Sequence, residues 1–164
     1  TARCIGDIPW AECRGINFLS MKDAKLYYTI PIGQETATFK LSMKKKKITP
    51  SYEQEKVSFL IEESFEAELA YTSVELRFYE QDEAILRQEL EDSIADDILA
   101  AVETSQRTFR CDYLHFSTFF RIAYPMEHRL IDWPKVFPDA EIAVRVNANV
   151  DMTGRYDFIP LTEF

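Results

Sequence analysis

The chain holds two histidines, His115 and His128, each close in sequence to an aspartate. Asp112 lies three residues before His115, and Asp132 four residues after His128. A carboxylate so placed can orient an imidazole for general acid–base work. No nucleophile is marked beside either pair; Ser117 and Thr118 are near only in sequence. A His/Asp-based enzyme is therefore the second alternative function, and the balance leans away from catalysis. Cys111 and His115 have a Cys-x-x-x-His spacing, with Cys4, Cys13 and His128 as further donors. Structural zinc sites bring their ligands in close pairs, and only one pair exists, so no metal and no cofactor is assigned. The four glycines, Gly6, Gly15, Gly33 and Gly154, are scattered. A phosphate cradle needs them clustered, which excludes the standard nucleotide loops and the Gly-flanked serine elbow.

Charge is the most polarised property. Residues 51–103 carry 16 Asp and Glu against three bases, a net −13 within a chain of −9. Glu89, Asp92 and Asp96 fall on one face of an expected helix, with Asp97 beside them. The competing reading is a solvated helix face. Lys44, Lys45, Lys46 and Lys47 form a basic run expected on a solvated loop or strand end. The leading functional expectation is a non-enzymatic protein interaction module whose acidic segment meets a basic surface. That surface belongs either to another protein or to a second copy, giving a weak or moderate homodimer in which the lysines take part. Four lysines in a chain this acidic disfavour nucleic acid.

The first alternative is a sensor of a small anionic ligand, a nucleotide or cyclic dinucleotide, gripped by Arg107 and Arg110 with Asp151. Gln106-Arg107-Thr108-Phe109-Arg110 and the later Asp151-Met152-Thr153-Gly154 resemble the two motifs of PilZ domains, which bind cyclic di-GMP. Gln106 stands where the first motif arginine belongs, and the second motif is one residue short with Thr for Ser. The family is not assigned on this. The plain reading is a basic helix end and a hairpin turn. The last residues, Leu161-Thr162-Glu163-Phe164, faintly match a carboxyl terminus captured by strand addition.

The elements that must position these groups follow from periodicity. Lys25–Ile32 and Thr36–Met43 are β-rich around Gly33-Gln34 and predict a hairpin, with Pro31 placing the first strand at an edge. Residues 52–71 are read as strands, although a helical reading competes. Val74–Tyr79 alternates as a strand. Residues 82–103 predict one long amphipathic helix, with Leu86, Leu90, Ile94, Ile98 and Val102 recurring every fourth position. The aromatic stretch Phe109–Tyr124 is expected to be one or two strands, and residues 132–138 a loop. Ile142–Val150 alternates strictly as a strand. A tight turn at Asp151–Gly154 and an antiparallel return over Arg155–Ile159 are expected.

These elements predict an α+β fold: a mostly antiparallel sheet or partly open barrel packed against the 82–103 helix. Residues 1–164 are read as a single domain, with residues 1–24 an N-terminal arm or a short helix, Pro9 and Gly15 acting as breakers. No run is long and apolar enough to span a membrane. The odd cysteine count and the lack of a visible signal segment point to a cytoplasmic home.

Overall fold

Alternation builds the sheet. The computed structural model describes residues 10–20, 25–73, 80–152 and 157–158. β1 (Lys25–Ile32) and β2 (Glu35–Glu53) pair antiparallel, with Tyr28 opposite Phe39 and Ile30 opposite Ala37. Gly33 turns the chain between them at φ 64, a conformation open to glycine at no steric cost. Tyr28, Ile30, Ala37, Phe39 and Leu41 are all buried. β2 runs on through Lys44–Lys47, so the lysines occupy the middle of a long strand and not a loop. Lys44, Lys45 and Lys47 reach solvent from it, which a strand with water beside it allows. Gln54 and Glu55 then turn the chain at φ 50 and 64, the two left-handed residues of a tight hairpin. β3 (Lys56–Thr72) alternates from Val57 to Leu69, burying Val57, Phe59, Ile61, Phe65, Ala67 and Leu69.

The expected strand Val74–Tyr79 lies outside the described residues. α2 (Glu80–Glu103) fits the predicted helix within two residues and buries Leu86, Leu90, Ile94, Ile98 and Val102. A π-helical turn, Thr104–Thr108, closes it.

The aromatic stretch is not a strand. It forms a loop and then α3 (Phe116–Ala123), followed by α4 (Pro125–Leu130), α5 (Trp133–Val136) and a 3₁₀ turn at Phe137–Asp139. Spacing decided against propensity, since Phe116 and Phe120 lie one helical turn apart and both are buried. The expected 132–138 loop is likewise mostly helical.

β4 (Glu141–Asp151) buries Val146, Ala148 and Val150. Arg145 reaches Glu62 at 3.3 Å and Asn149 reaches Glu66 at 3.2 Å. The contacts advance together along both strands, so β4 runs parallel to β3. β5 (Asp157–Phe158) also pairs in parallel with β3, at Tyr71 and Thr72. It therefore shares the direction of β4, which rules out the expected antiparallel return. The sheet order is β1-β2-β3-β4 with β5 on β3, an open mixed sheet and not a barrel. The helical segment from α2 to α5 is the crossover that a parallel partner for β3 requires. The α+β class stands; the antiparallel part is β1 to β3.

α1 (Trp10–Ser20) takes the short-helix alternative for the N-terminal stretch and runs straight through Gly15, which was expected to break it. A Cβ at Gly15 would collide with the backbone carbonyl of Asp97 on α2, so glycine here permits a close approach and does not break the helix. The Asp151–Gly154 turn falls mainly, and Leu161–Phe164 wholly, outside the described residues.

The contacts form two compact units. One holds α1, residues 47–62 and residues 95–145, with a core that includes Phe18, Phe59, Ile98, Phe116, Phe120 and Phe137. The other holds residues 25–46, 63–73, 80–94 and 146–152, cored by residues such as Phe39, Phe65, Leu90 and Val146. In the second unit Glu91 accepts the Ala148 backbone N–H at 2.7 Å, which covers part of the β4 edge.

Candidate functional site

Asp112 organises the helical segment of the first unit. Its Oδ1 accepts the Phe116 backbone N–H at 2.9 Å, and its Oδ2 accepts that of Ser117 at 2.7 Å. These are orphan donors of the first turn of α3, where an anion is favoured. The same Oδ2 accepts the Trp133 indole N–H at 3.0 Å, which ties α5 to the start of α3. Trp133 stacks on Phe120 at 5.5 Å and on Phe137 at 5.9 Å, and Phe59 meets Phe116 at 4.9 Å. Pro125 opens α4, where its missing N–H costs nothing. His128 on α4 returns to α3, its Nε2 3.0 Å from the Ser117 hydroxyl. Short helices that would not persist alone are thus held by a cap, a ring cluster and a Ser–His contact.

These helices expose three large apolar side chains. Ile122 is 73% exposed, Met126 65% and Leu130 85%. Met126 and Leu130 are one turn apart on α4 and share a face. Arg121 and Arg129 are exposed on the same two helices. Among the described residues neither forms an ion pair, whereas Arg14, Arg87, Arg107 and Arg145 each do. Large exposed side chains clustered beside unpaired cations mark an interaction surface more readily than scattered ones.

The second unit contains one unusual ionisable group. Glu63 on β3 is 1% exposed, and neither carboxylate oxygen has a hydrogen-bond partner. Burial raises its pKa from 4.5 to about 7, and the charge of Lys46 pulls it partly back.

The residues singled out from the sequence are dispersed. Glu89 and Asp96 are exposed on α2, and Asp92 accepts from Gln88 at 3.0 Å. Asp97 is paired with Arg14 of α1 at 3.0 Å, so it does not belong to an open acidic face. Arg107 pairs with Asp139 at 3.5 Å, and Arg110 is exposed at φ 48. Asp151 lines an open concavity in the second unit with Lys25, Lys40, Ser42, Glu66 and Glu68. Gln106 is 8% exposed and donates to the carbonyls of Phe137 and Ala140 at 2.9 and 2.8 Å. It is an internal clamp with no access to a ligand. Asp112 serves α3 and Trp133, and His128 serves Ser117, so neither expected His–Asp pair is formed. Cys111 is an exposed free thiol, and among the described residues no three His, Cys, Asp or Glu converge as a metal site. No helix among them is long and apolar enough to cross a membrane.

The ridge residues escaped the reading of the sequence. Ile122 fell within the stretch Phe109–Tyr124 read as strand, and Met126 and Leu130 fell in residues given no element, so the helices α3 and α4 that carry them were not foreseen.

Residues 2–154 match the family model described as Spore germination B3/GerAC like, C-terminal. Among solved structures, one described as the crystal structure of the GerBC protein matches with a TM-score of 0.74 at 17% identity. The alignment covers 89% of this chain and 47% of that one, so the chain spans about half the length of that neighbour. At this identity the likeness speaks for the fold. No curated protein relative matches. The family match overturns the functional expectation drawn from charge and motif. The acidic interaction module, the nucleotide or cyclic-dinucleotide sensor and the His/Asp enzyme all give way to a spore germination domain. The error arose because charge polarisation and short motifs carry little family information; Gln106 is buried on two backbone carbonyls and Arg107 is held in a surface ion pair with Asp139.

Proposed function

The chain belongs to the spore germination B3/GerAC-like C-terminal family, and from that premise we propose that it works in spore germination as the C-terminal domain of a longer subunit that assembles with other proteins. The observation that carries this reading is the family match across residues 2–154. The half-length coverage of the GerBC structure supports the view that further chain accompanies this domain in the working protein. The exposed apolar side chains of α3 and α4 support assembly, because a surface of that kind gains from being covered.

The test is genetic. The chromosomal copy is replaced by one whose product lacks residues 1–164, and the release of spore refractility is timed after a germinant is added. The reading predicts a lost or strongly slowed response that returns when the intact gene is restored. Germination at the wild-type rate in the deletion strain, across the germinants to which the organism responds, rejects it.

A further inference from the structure

We propose that Ile122, Met126 and Leu130, with Arg121 and Arg129, form the surface on which this domain docks a partner protein segment that sets carboxylates beside apolar side chains. The proposal rests on the assembly reading above and adds the place and the chemistry of the contact.

Three observations on one segment carry it. First, the apolar residues are the outward side of helices whose inward side is fixed by Asp112, Trp133 and Phe120. A contact surface on a braced support loses little conformational entropy on binding. Second, the three side chains are 65 to 85% exposed, and burying them on a partner removes that apolar area from water. Met and Arg are also residue types enriched in interfaces. Third, the charge is specific. The chain carries 28 acidic and 19 basic residues, so an arginine has many carboxylates to choose from. Arg121 and Arg129 nevertheless have none among the described residues, as is true of Arg110 outside these helices, while four other arginines do. Two unpaired guanidinium groups beside an apolar ridge complement a partner carrying Asp or Glu beside apolar residues.

An anionic bilayer offers similar chemistry, and the observations favour protein. A chain of net charge −9 is repelled by an anionic lipid surface. Helices that lie in the interface carry a polar face rich in Lys and Arg, whereas α3 and α4 each carry one arginine and α4 has Glu127 in its first turn.

The experiment places a photo-reactive benzophenone amino acid at position 126 or 130 of the full-length protein in the organism that makes it. Position 147, exposed on β4, is the control. Illumination of developing spores is followed by mass spectrometry of the adduct. The proposal expects adducts at 126 and 130, absent at 147, to one protein segment with Asp or Glu flanking apolar residues. It expects Arg121→Glu with Arg129→Glu to cut the yield at least ~tenfold, and the reciprocal acid-to-base change in the partner to restore it. Melting of the purified variants shows that the fold is kept. Adducts to lipid, to a second copy of this chain, to position 147 equally, or to nothing overturn the proposal, as does a yield insensitive to charge reversal. The two readings fail separately. A specific adduct with normal germination in the deletion strain rejects the germination role alone. A lost germination response without the adduct rejects the ridge alone.

Discussion

The Trp133 indole donates to the Asp112 carboxylate at 3.0 Å, and the oxygen that receives it also receives the Ser117 backbone N–H. One side chain thereby caps α3 and anchors α5. The outward ridge at Ile122, Met126 and Leu130 depends on that joint, because short helices gain their stability from what they are packed and tied to.

Asp112→Ala removes the acceptor for three N–H donors. Loss of the cap and of a charged hydrogen bond is expected to cost about 2 kcal/mol. Asp112→Asn keeps an acceptor oxygen and should cost less. Urea denaturation of the two variants against wild type reads the difference, and equal midpoints would remove Asp112 from this role.

Gln106 clamps two backbone carbonyls inside the first unit. Gln106→Ala takes the side-chain donor from both; the Phe137 carbonyl keeps the Ala140 backbone N–H at 3.2 Å while the buried Ala140 carbonyl loses its Gln106 partner, and the expected loss is about 1–3 kcal/mol. Gln106→Arg, the residue that a cyclic-dinucleotide motif would have required, buries a charge there and should destabilise further. Thermal melts of both variants check the order.

Glu63 makes stability depend on pH with a defined sign. Its carboxyl titrates at about 7 in the folded chain against 4.5 for the free group, so the native state holds the proton more tightly than the unfolded chain. Its favourable term is fully present below 4.5 and is lost as pH rises through about 7. The span corresponds to on the order of 3 kcal/mol. Glu63→Gln should flatten the fall in unfolding free energy between these limits. Lys46→Met should move the fall to higher pH, since Lys46 holds the carboxyl down. Urea midpoints from pH 4 to 8 decide it; a wild-type slope retained in Glu63→Gln would refute the assignment.

Gly15 sits where a Cβ would overlap the Asp97 carbonyl. Gly15→Ala gains helix propensity worth roughly 1 kcal/mol, but must push α1 from α2 or distort a backbone that cannot yield cheaply. The expected net effect is a loss of about 1–3 kcal/mol, seen as a lower melting temperature. A stabilised variant would show that the contact is looser than the geometry states.

The legible parts of the fold were those where one periodicity ran unbroken. Thr36–Met43, Leu86–Val102 and Ile142–Val150 each show a single spacing, and each forms the expected element. Phe109–Tyr124 failed because its residues favour strands one by one, while the helix is imposed by Asp112 from outside and by burial of Phe116 and Phe120. The direction of β4 was illegible too, since a parallel partner is set by the whole helical crossover and not by any residue within the strand. Lys44–Lys47 was misplaced because a basic run looks like a loop until a long exposed strand is known to carry it. The ridge residues are evenly spaced in the sequence, but exposure is a property of packing, which spacing alone does not reveal.

The most direct test of the account is germination of spores whose full-length protein carries Met126→Asp and Leu130→Asp. Both side chains are exposed, so the fold should stand, and melting temperature and abundance in spores should match wild type. The account predicts a response to germinant slowed at least ~tenfold, as expected when apolar anchors of an interface are replaced by charge. Germination at the wild-type rate by spores holding normal amounts of this folded variant would contradict it.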